Sequence, residues 1–189
     1  MLAAGRSERF GRAKLLAKYR GKPLLQHALS AAQTACPGSV YLVVGHDHDE
    51  VSDAAIGLAD TVIFNEAYAS GMGSSIASGV RACREQSDAI LIMLADQPLV
   101  SSSHLAELMN RWTGKQSEII ASRFSGVSGP PVLFANALFD QLEDLHNDVG
   151  AREILHRSSS ILRTVEFEAA SIDIDTPTDL AKLADRHRP

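Results

Sequence analysis

Met1-Leu-Ala-Ala-Gly-Arg-Ser-Glu-Arg-Phe-Gly-Arg-Ala-Lys14 opens the chain. It begins apolar, as the end of a β-strand does, and becomes a loop that carries Gly5 and Gly11. Arg6, Arg9, Arg12 and Lys14 follow the apolar start, and Glu8 is the only acid among them. Glycine lets a backbone approach a ligand and present its N–H groups. Arginine and lysine add charge that matches phosphate oxygens. A strand, a glycine loop and clustered cations read together as a nucleoside triphosphate site. A transit peptide fits less well, because Gly5 and Gly11 would break its amphipathic helix. A solvated N-terminal arm is the remaining alternative.

Downstream, apolar runs alternate with helical patterns. Val40-Tyr-Leu-Val-Val44 reads as a strand buried on both faces, and Ala89-Ile-Leu-Ile-Met-Leu-Ala95 as the strongest strand in the sequence. Shorter strands are expected at 15–19, 61–64, 118–124, 132–134 and 160–167. Helices are expected at 23–33, 47–56, 74–85, 137–145, 151–157 and 178–186. One further helix carries Leu105, Leu108, Met109 and Trp112, capped by Ser102 or Ser103. Pro23 is expected at the first position of its helix, and Asp175 or Thr176 as the cap of the last. Residues 65–75 and 126–131 read as glycine-bearing loops. Alternation of strands and helices predicts an α/β fold with a mostly parallel sheet. In such sheets ligands bind at the carboxyl ends of the strands. That rule gathers Gly5, Gly45, Asn65 and Asp96 at one edge.

The 189 residues predict one domain. The net charge of −5, from 18 basic and 23 acidic residues, argues against general binding to nucleic acid or membrane surfaces. The basic N-terminus therefore reads as a local anion site. No run of eighteen apolar residues predicts a membrane span. Cys36 and Cys83 form no C-x-x-C pair and read as core thiols in a reducing compartment, so a cytoplasmic location is expected.

The opening stretch is neither a Walker P-loop nor G-x-G-x-x-G. It resembles the signature of MobA-like nucleotidyltransferases, L-A-(A/G)-G-x-S-x-R-(M/F)-G-x-x-K, with Leu2, Ala3, Ala4, Gly5, Ser7, Arg9, Gly11 and Lys14 in place. Leu-Ala-Asp96-Gln-Pro and Asp173-Ile-Asp175-Thr-Pro match further family blocks, as do Gly129-Pro130-Pro131 and Asp148-x-Gly150-Ala-Arg152. The family carries a few more apolar residues ahead of the signature, so this chain is expected to start late or to be shortened.

The resemblance implies a single three-layer α/β/α domain, Rossmann-like and of the nucleotide-diphospho-sugar transferase type. It implies Mg²⁺ on Asp96 and Asp175, with Asp175 preferred to Asp173. Mg²⁺ takes hard oxygens, commonly one or two carboxylates plus phosphates. Helix capping is the plain alternative for all three acids. Leu2, Ala3, Ala4, Gly5, Arg6, Ser7, Lys14, Gly45, Asn65, Gly71, Ser74 and Ser75 are the implied nucleotide side. Gly129, Pro130 and Arg152 are the acceptor side, and Arg9, Lys14 and Asp96 the catalytic set. The resemblance is closest to the molybdenum cofactor cytidylyltransferase branch. It implies CMP transfer from CTP to molybdopterin, with a molybdoenzyme or its chaperone as a further partner. Transfer to a sugar phosphate or isoprenoid precursor, guanylyl transfer from GTP, and a non-catalytic binding protein are the alternatives.

Overall fold

A computed structural model describes residues 1–11, 13–145, 151–157 and 161–186 of the chain. The first strand, β1, is Leu2–Ala3. A small hairpin of β2 (Lys18–Tyr19) and β3 (Lys22–Pro23) leads into α1, Leu24–Ala35. Then come β4 (Tyr41–Val44), α2 (His48–Ala54), β5 (Thr61–Phe64) and α3 (Met72–Cys83). β6 (Ala89–Ile92) and α4 (Ser102–Arg111) follow. The second half holds β7 (Ile119–Phe124), β8 (Val127–Ala135), α5 (Phe139–Glu143), α6 (Arg152–Arg157), β9 (Leu162–Glu166) and α7 (Pro177–Arg186).

β5, β4 and β1 pair in parallel, and β6, β8, β7 and β9 form a second ladder. A parallel bridge between Leu2 and Leu94 joins the two, giving the order β5-β4-β1-β6-β8-β7-β9. In this sheet, among the described residues, β8 alone runs against its neighbours. The join is narrow: Leu2 N–H donates to Met93 O at 2.9 Å, and Ala95 N–H to Leu2 O at 3.1 Å. Below it, between β4 and β6, lies a cavity of about 470 Å³ lined by Met1, Val40, Tyr41, Ile90 and Leu91 among others.

Helices cover both faces, so there are three layers. Successive strand residues point to opposite faces. Leu42 and Val44 pack with α1, α2 and α4 residues such as Leu29, Val51 and Leu105. Ile92, Ile119, Ala121, Val132 and Phe134 pack with Ile76 and Val80 of α3 and Leu142 of α5 on the other face. Ile120 and Leu133 face Leu108 of α4. α3 lies close to the sheet because Gly79 has no side chain: a β-carbon there would stand 3.1 Å from Val43 Cγ2.

Several expectations are corrected. Residues 126–131 are not a loop but mostly strand. The turn is only Ser125-Gly126, with φ values of 48° and 80°. Both central residues are left-handed, as a two-residue hairpin requires. Pairing then jumps from Ser122–Gly129 to Ala121–Val132. Pro130 and Pro131 occupy the resulting bulge, where the ladder asks no N–H of them. α3 begins at Met72 behind Gly71, not at Ser74. The cap of α4 is Ser101, whose hydroxyl accepts from His104 N–H at 3.2 Å. Pro23 precedes its helix and pairs with Lys18. β6 ends at Ile92, because residues 93–95 bond to Leu2 instead. Thr176 rather than Asp175 caps α7: its hydroxyl accepts from Asp179 N–H at 3.2 Å, and Asp179 Oδ2 accepts from Thr176 N–H at 2.9 Å. Arg12, Asp148, Gly150 and Ser160 lie outside the described residues.

Candidate nucleotide and metal site

The glycine loop is shaped by its own backbone. Ser7 adopts a left-handed φ of 54°. Its carbonyl accepts from Phe10 and Gly11 N–H at 2.9 and 3.2 Å, and its hydroxyl accepts from Lys14 N–H at 3.2 Å. Phe10 is buried with Tyr19, Leu24, Ile174 and Leu183. That anchor, with buried Leu15, fixes the backbone from which Arg9 and Lys14 project. Arg6 leans over the Tyr68 ring, 5.8 Å from its centre, and pairs with Glu8 at 3.7 Å. Gly5 has open space around the position of an added β-carbon.

Three distant segments meet at Lys14. Asp96 follows β6, and Asp175 lies just before α7. Ile174 N–H donates to Asp96 O at 3.1 Å, which ties the two acidic segments together. Lys14 Nζ donates to Asp96 Oδ2 at 2.5 Å and to Asp175 Oδ1 at 3.0 Å. Arg9 Nη2 reaches the other Asp175 oxygen at 2.9 Å. Burial opposes the charge on Lys14, but Asp96 and Asp175 outweigh it, so its pKa is raised. Desolvation also pushes the Asp173 carboxyl up, followed by the charges of Asp96 and Asp175.

Two carboxylates thus converge on one cationic atom, and Asp96 Oδ1 is buried with no hydrogen-bond partner. This donor set fits Mg²⁺ or Mn²⁺, which fill their remaining positions with water and phosphate oxygens. Among the described residues no group of three or more histidine, cysteine or acidic side chains is placed to hold an ion.

The 65–75 loop is organised by Asn65, which is 3% exposed. Its Nδ2 donates to Ser74 and Ser75 hydroxyls at 2.9 and 3.0 Å, and its Oδ1 accepts from Ala67 N–H at 3.1 Å. Ser74 donates to the carbonyls of Ala67 or Gly71, at 2.9 and 2.8 Å. Gly71, at φ 109°, turns the chain into α3. These contacts tie the loop to the first turn of α3, so Asn65 sets how the loop meets the helix. Gly45 lets the two loops approach, because a β-carbon there would run into the Ala4 carbonyl and Tyr68.

Gly129 lies beside the bulge of β8, under the Phe124 ring, and Pro130 stands in the bulge itself. Arg152 is exposed at the start of α6. The structure therefore joins Arg9, Lys14, Asp96 and Asp175 directly, and Ala4, Gly45, Asn65, Ser74 and Ser75 through the loop contacts. Sequence reasoning passed over two side chains. Tyr68 sits among Arg6, Gly45 and His46, and as the lone aromatic of a glycine-bearing loop it could have been singled out. Gln97, 1% exposed, donates to Ala170 O at 2.9 Å and holds the Asp96 turn. It stands in the Leu-Ala-Asp96-Gln-Pro block, whose pattern points to the acid and gives the amide no role.

The description "MobA-like NTP transferase domain" matches residues 1–162. The chain belongs to the MobA-like NTP transferase family. As a member of that family it is a nucleotidyltransferase. It is 30% identical over 192 residues to the purine catabolism protein PucB of Bacillus subtilis, covering 94% of this chain and 91% of that protein. It is 27% identical to the nicotine blue oxidoreductase of Paenarthrobacter nicotinovorans, covering 97% and 94%. The crystal structure of Rv0371c from Mycobacterium tuberculosis superposes with a TM-score of 0.83 at 28% identity, over 97% of this chain and 95% of that one. Rv0371c has also been solved in complex with manganese, at TM-score 0.78 and 26% identity over the same shares. In this MobA-like chain no helix among the described residues is long and apolar enough to cross a membrane.

Proposed function

We propose that this nucleotidyltransferase moves CMP from CTP to the phosphate of molybdopterin, giving the cytosine dinucleotide and pyrophosphate. The observation that carries the nucleotidyl-transfer reading is the meeting of Lys14, Asp96 and Asp175 within 3.0 Å beside a glycine loop. In the reaction a phosphate oxygen of the acceptor forms a bond to the α-phosphorus. The bond from that phosphorus to its bridging oxygen breaks, and pyrophosphate leaves with the electron pair. The acceptor is already an anion, so no protein base is needed, and catalysis is positioning plus neutralisation of charge.

In this reading the loop around Leu2, Ala3, Ala4, Gly5, Arg6 and Ser7 offers backbone N–H groups and charge to the triphosphate. Lys14 and Arg9 neutralise the leaving pyrophosphate. Asp96 and Asp175 hold Mg²⁺, which supplies Lewis-acid polarisation of the α-phosphate when bound. Gly45, Asn65, Gly71, Ser74 and Ser75 shape the base side, while Gly129, Pro130 and Arg152 line the acceptor side. The manganese complex of Rv0371c supports a divalent ion in a related chain. Ala4 supports the pyrimidine, since guanylyl-transferring relatives tend to carry glycine there. The product would pass in the cytoplasm to a molybdoenzyme or its chaperone.

The test is pyrophosphate release with each NTP and molybdopterin as acceptor. CTP is expected to give the highest kcat/KM. Preference for GTP would overturn the cytidylyl reading, and turnover only with a sugar phosphate or isoprenoid precursor would overturn the acceptor. No pyrophosphate with any pair would leave a binding protein.

A further inference from the structure

We propose that Lys14 occupies the place of the divalent cation in the resting site, so that the ion is admitted only together with a triphosphate. The inference deepens the preceding reading and rests on its assignment of the metal to Asp96 and Asp175. The Lys14 ammonium stands 2.5 Å from Asp96 Oδ2 and 3.0 Å from Asp175 Oδ1. Arg9 covers the remaining oxygen of Asp175 at 2.9 Å. Three of the four carboxylate oxygens are therefore already held by cations, and the fourth, Asp96 Oδ1, is buried. An Mg²⁺ ion needs its oxygens at about 2.0–2.1 Å. It cannot share Asp96 Oδ2 and Asp175 Oδ1 with the ammonium.

The charge balance points the same way. Asp96 and Asp175 carry two negative charges, and Lys14 and Arg9 carry two positive ones. A dication entering this neutral cluster meets the repulsion of both. Asp173 nearby adds one further negative charge, but it has no salt-bridge contact with Lys14 among those described. A triphosphate changes the balance by offering Lys14 and Arg9 new partners. The exchange needs only a side-chain rotation, because Leu15 is buried and Lys14 N–H is held by Ser7. Metal and triphosphate are then coupled through one movable cation, and such coupling is reciprocal. Free metal is refused, and the metal–triphosphate pair is taken.

The experiment measures Mn²⁺ binding by electron paramagnetic resonance on the full chain without nucleotide. It compares wild type, Lys14→Met and Lys14→Gln, two side chains one atom shorter than lysine that carry no charge. Far-UV circular dichroism and a cooperative melt confirm that each variant is folded. Both variants are expected to bind Mn²⁺ at least about tenfold more tightly than wild type, in the usual range of coupling between sites. Adding Asp96→Asn to Lys14→Met should abolish that gain. Mn²⁺ affinity unchanged or weakened in a folded Lys14 variant overturns the exchange, whatever the base or acceptor proves to be. A gain that survives Asp96→Asn places the ion elsewhere and overturns the metal assignment as well. Loss of CTP or molybdopterin turnover with these binding results intact would instead count against the proposed substrates alone.

Discussion

Tyr68 lies so close over Gly45 that a β-carbon on Gly45 would stand 2.7 Å from Tyr68 Cβ and 2.6 Å from the Ala4 carbonyl oxygen. The Ala4 oxygen is backbone and cannot swing away, so Gly45→Ala must shift the glycine loop, the 65–75 loop, or both. The expected cost is about 1–3 kcal/mol of stability, typical of overpacking, with a raised KM for NTP. Urea denaturation and steady-state kinetics check it. Tyr68→Ala in the same chain should relieve part of the loss, because contacting residues couple. A fully stable Gly45→Ala with normal KM would mean the two loops are not held together here.

Asp96→Asn keeps the shape of the side chain and removes its charge. Turnover is expected to fall by about a hundredfold or more, as when a preorganised electrostatic group is lost. The cooperative melt should remain, since Asp175 still holds Lys14 and Arg9. Near-normal Mg²⁺-dependent activity would refute the role.

Ala4→Gly tests the base preference. A methyl group in a pocket is worth about 1–3 kcal/mol of discrimination. The variant should therefore gain kcat/KM with GTP relative to CTP. A preference for CTP that does not move would remove Ala4 as its cause.

His104 is 4% exposed, stacks on Phe167 at 3.9 Å, and bonds Ser122 Oγ at 2.8 Å. Ser122 gives its own proton to Pro131 O, so the imidazole Nε2 is the donor. Burial lowers the His104 pKa, with Glu107 opposing. Below the ordinary histidine pKa of about 6.5 the unfolded chain then binds more protons than the folded one, so stability falls with falling pH. Urea midpoints at pH 7.5 and 5.5 should separate in wild type, and separate less in His104→Gln. Equal separation in both would assign the acid sensitivity to other groups.

The glycine loop, the two apolar strands and Asp96 were legible because each has a local signal: glycine between cations, or a carboxylate closing an apolar run. The strand through Gly129-Pro130-Pro131 was not. Proline reads as a loop signal, and only the pairing with β7 shows that a bulge absorbs both residues. The division of labour between Asp175 and Thr176 was also hidden. Either can cap a helix, and it is Asp179 that engages Thr176 and leaves Asp175 for Lys14. The hydrogen bonds of Asn65 to Ala67 and to Ser74 and Ser75 have no local signal either, because they depend on how the chain after β5 folds back onto the first turn of α3.

The narrow join at Leu2 makes the sheet a zip fastened by one tooth. The β5-β4-β1 half carries the glycine loop, and the other half carries Asp96, so the zip runs through the middle of the site. Its two amides, Leu2 and Ala95, should exchange hydrogen for deuterium sooner than Val43 or Leu133, which sit inside continuous ladders. Lys14 and Asp96 already act as a clasp over it. A triphosphate with its metal ion, bound to both halves, would be a second clasp, and the same two amides should then become the most strongly slowed in the chain. Mass spectrometry of exchange with and without CTP and Mg²⁺ reads this directly. Unchanged exchange at Leu2 and Ala95 would mean that the ligand grips one half alone.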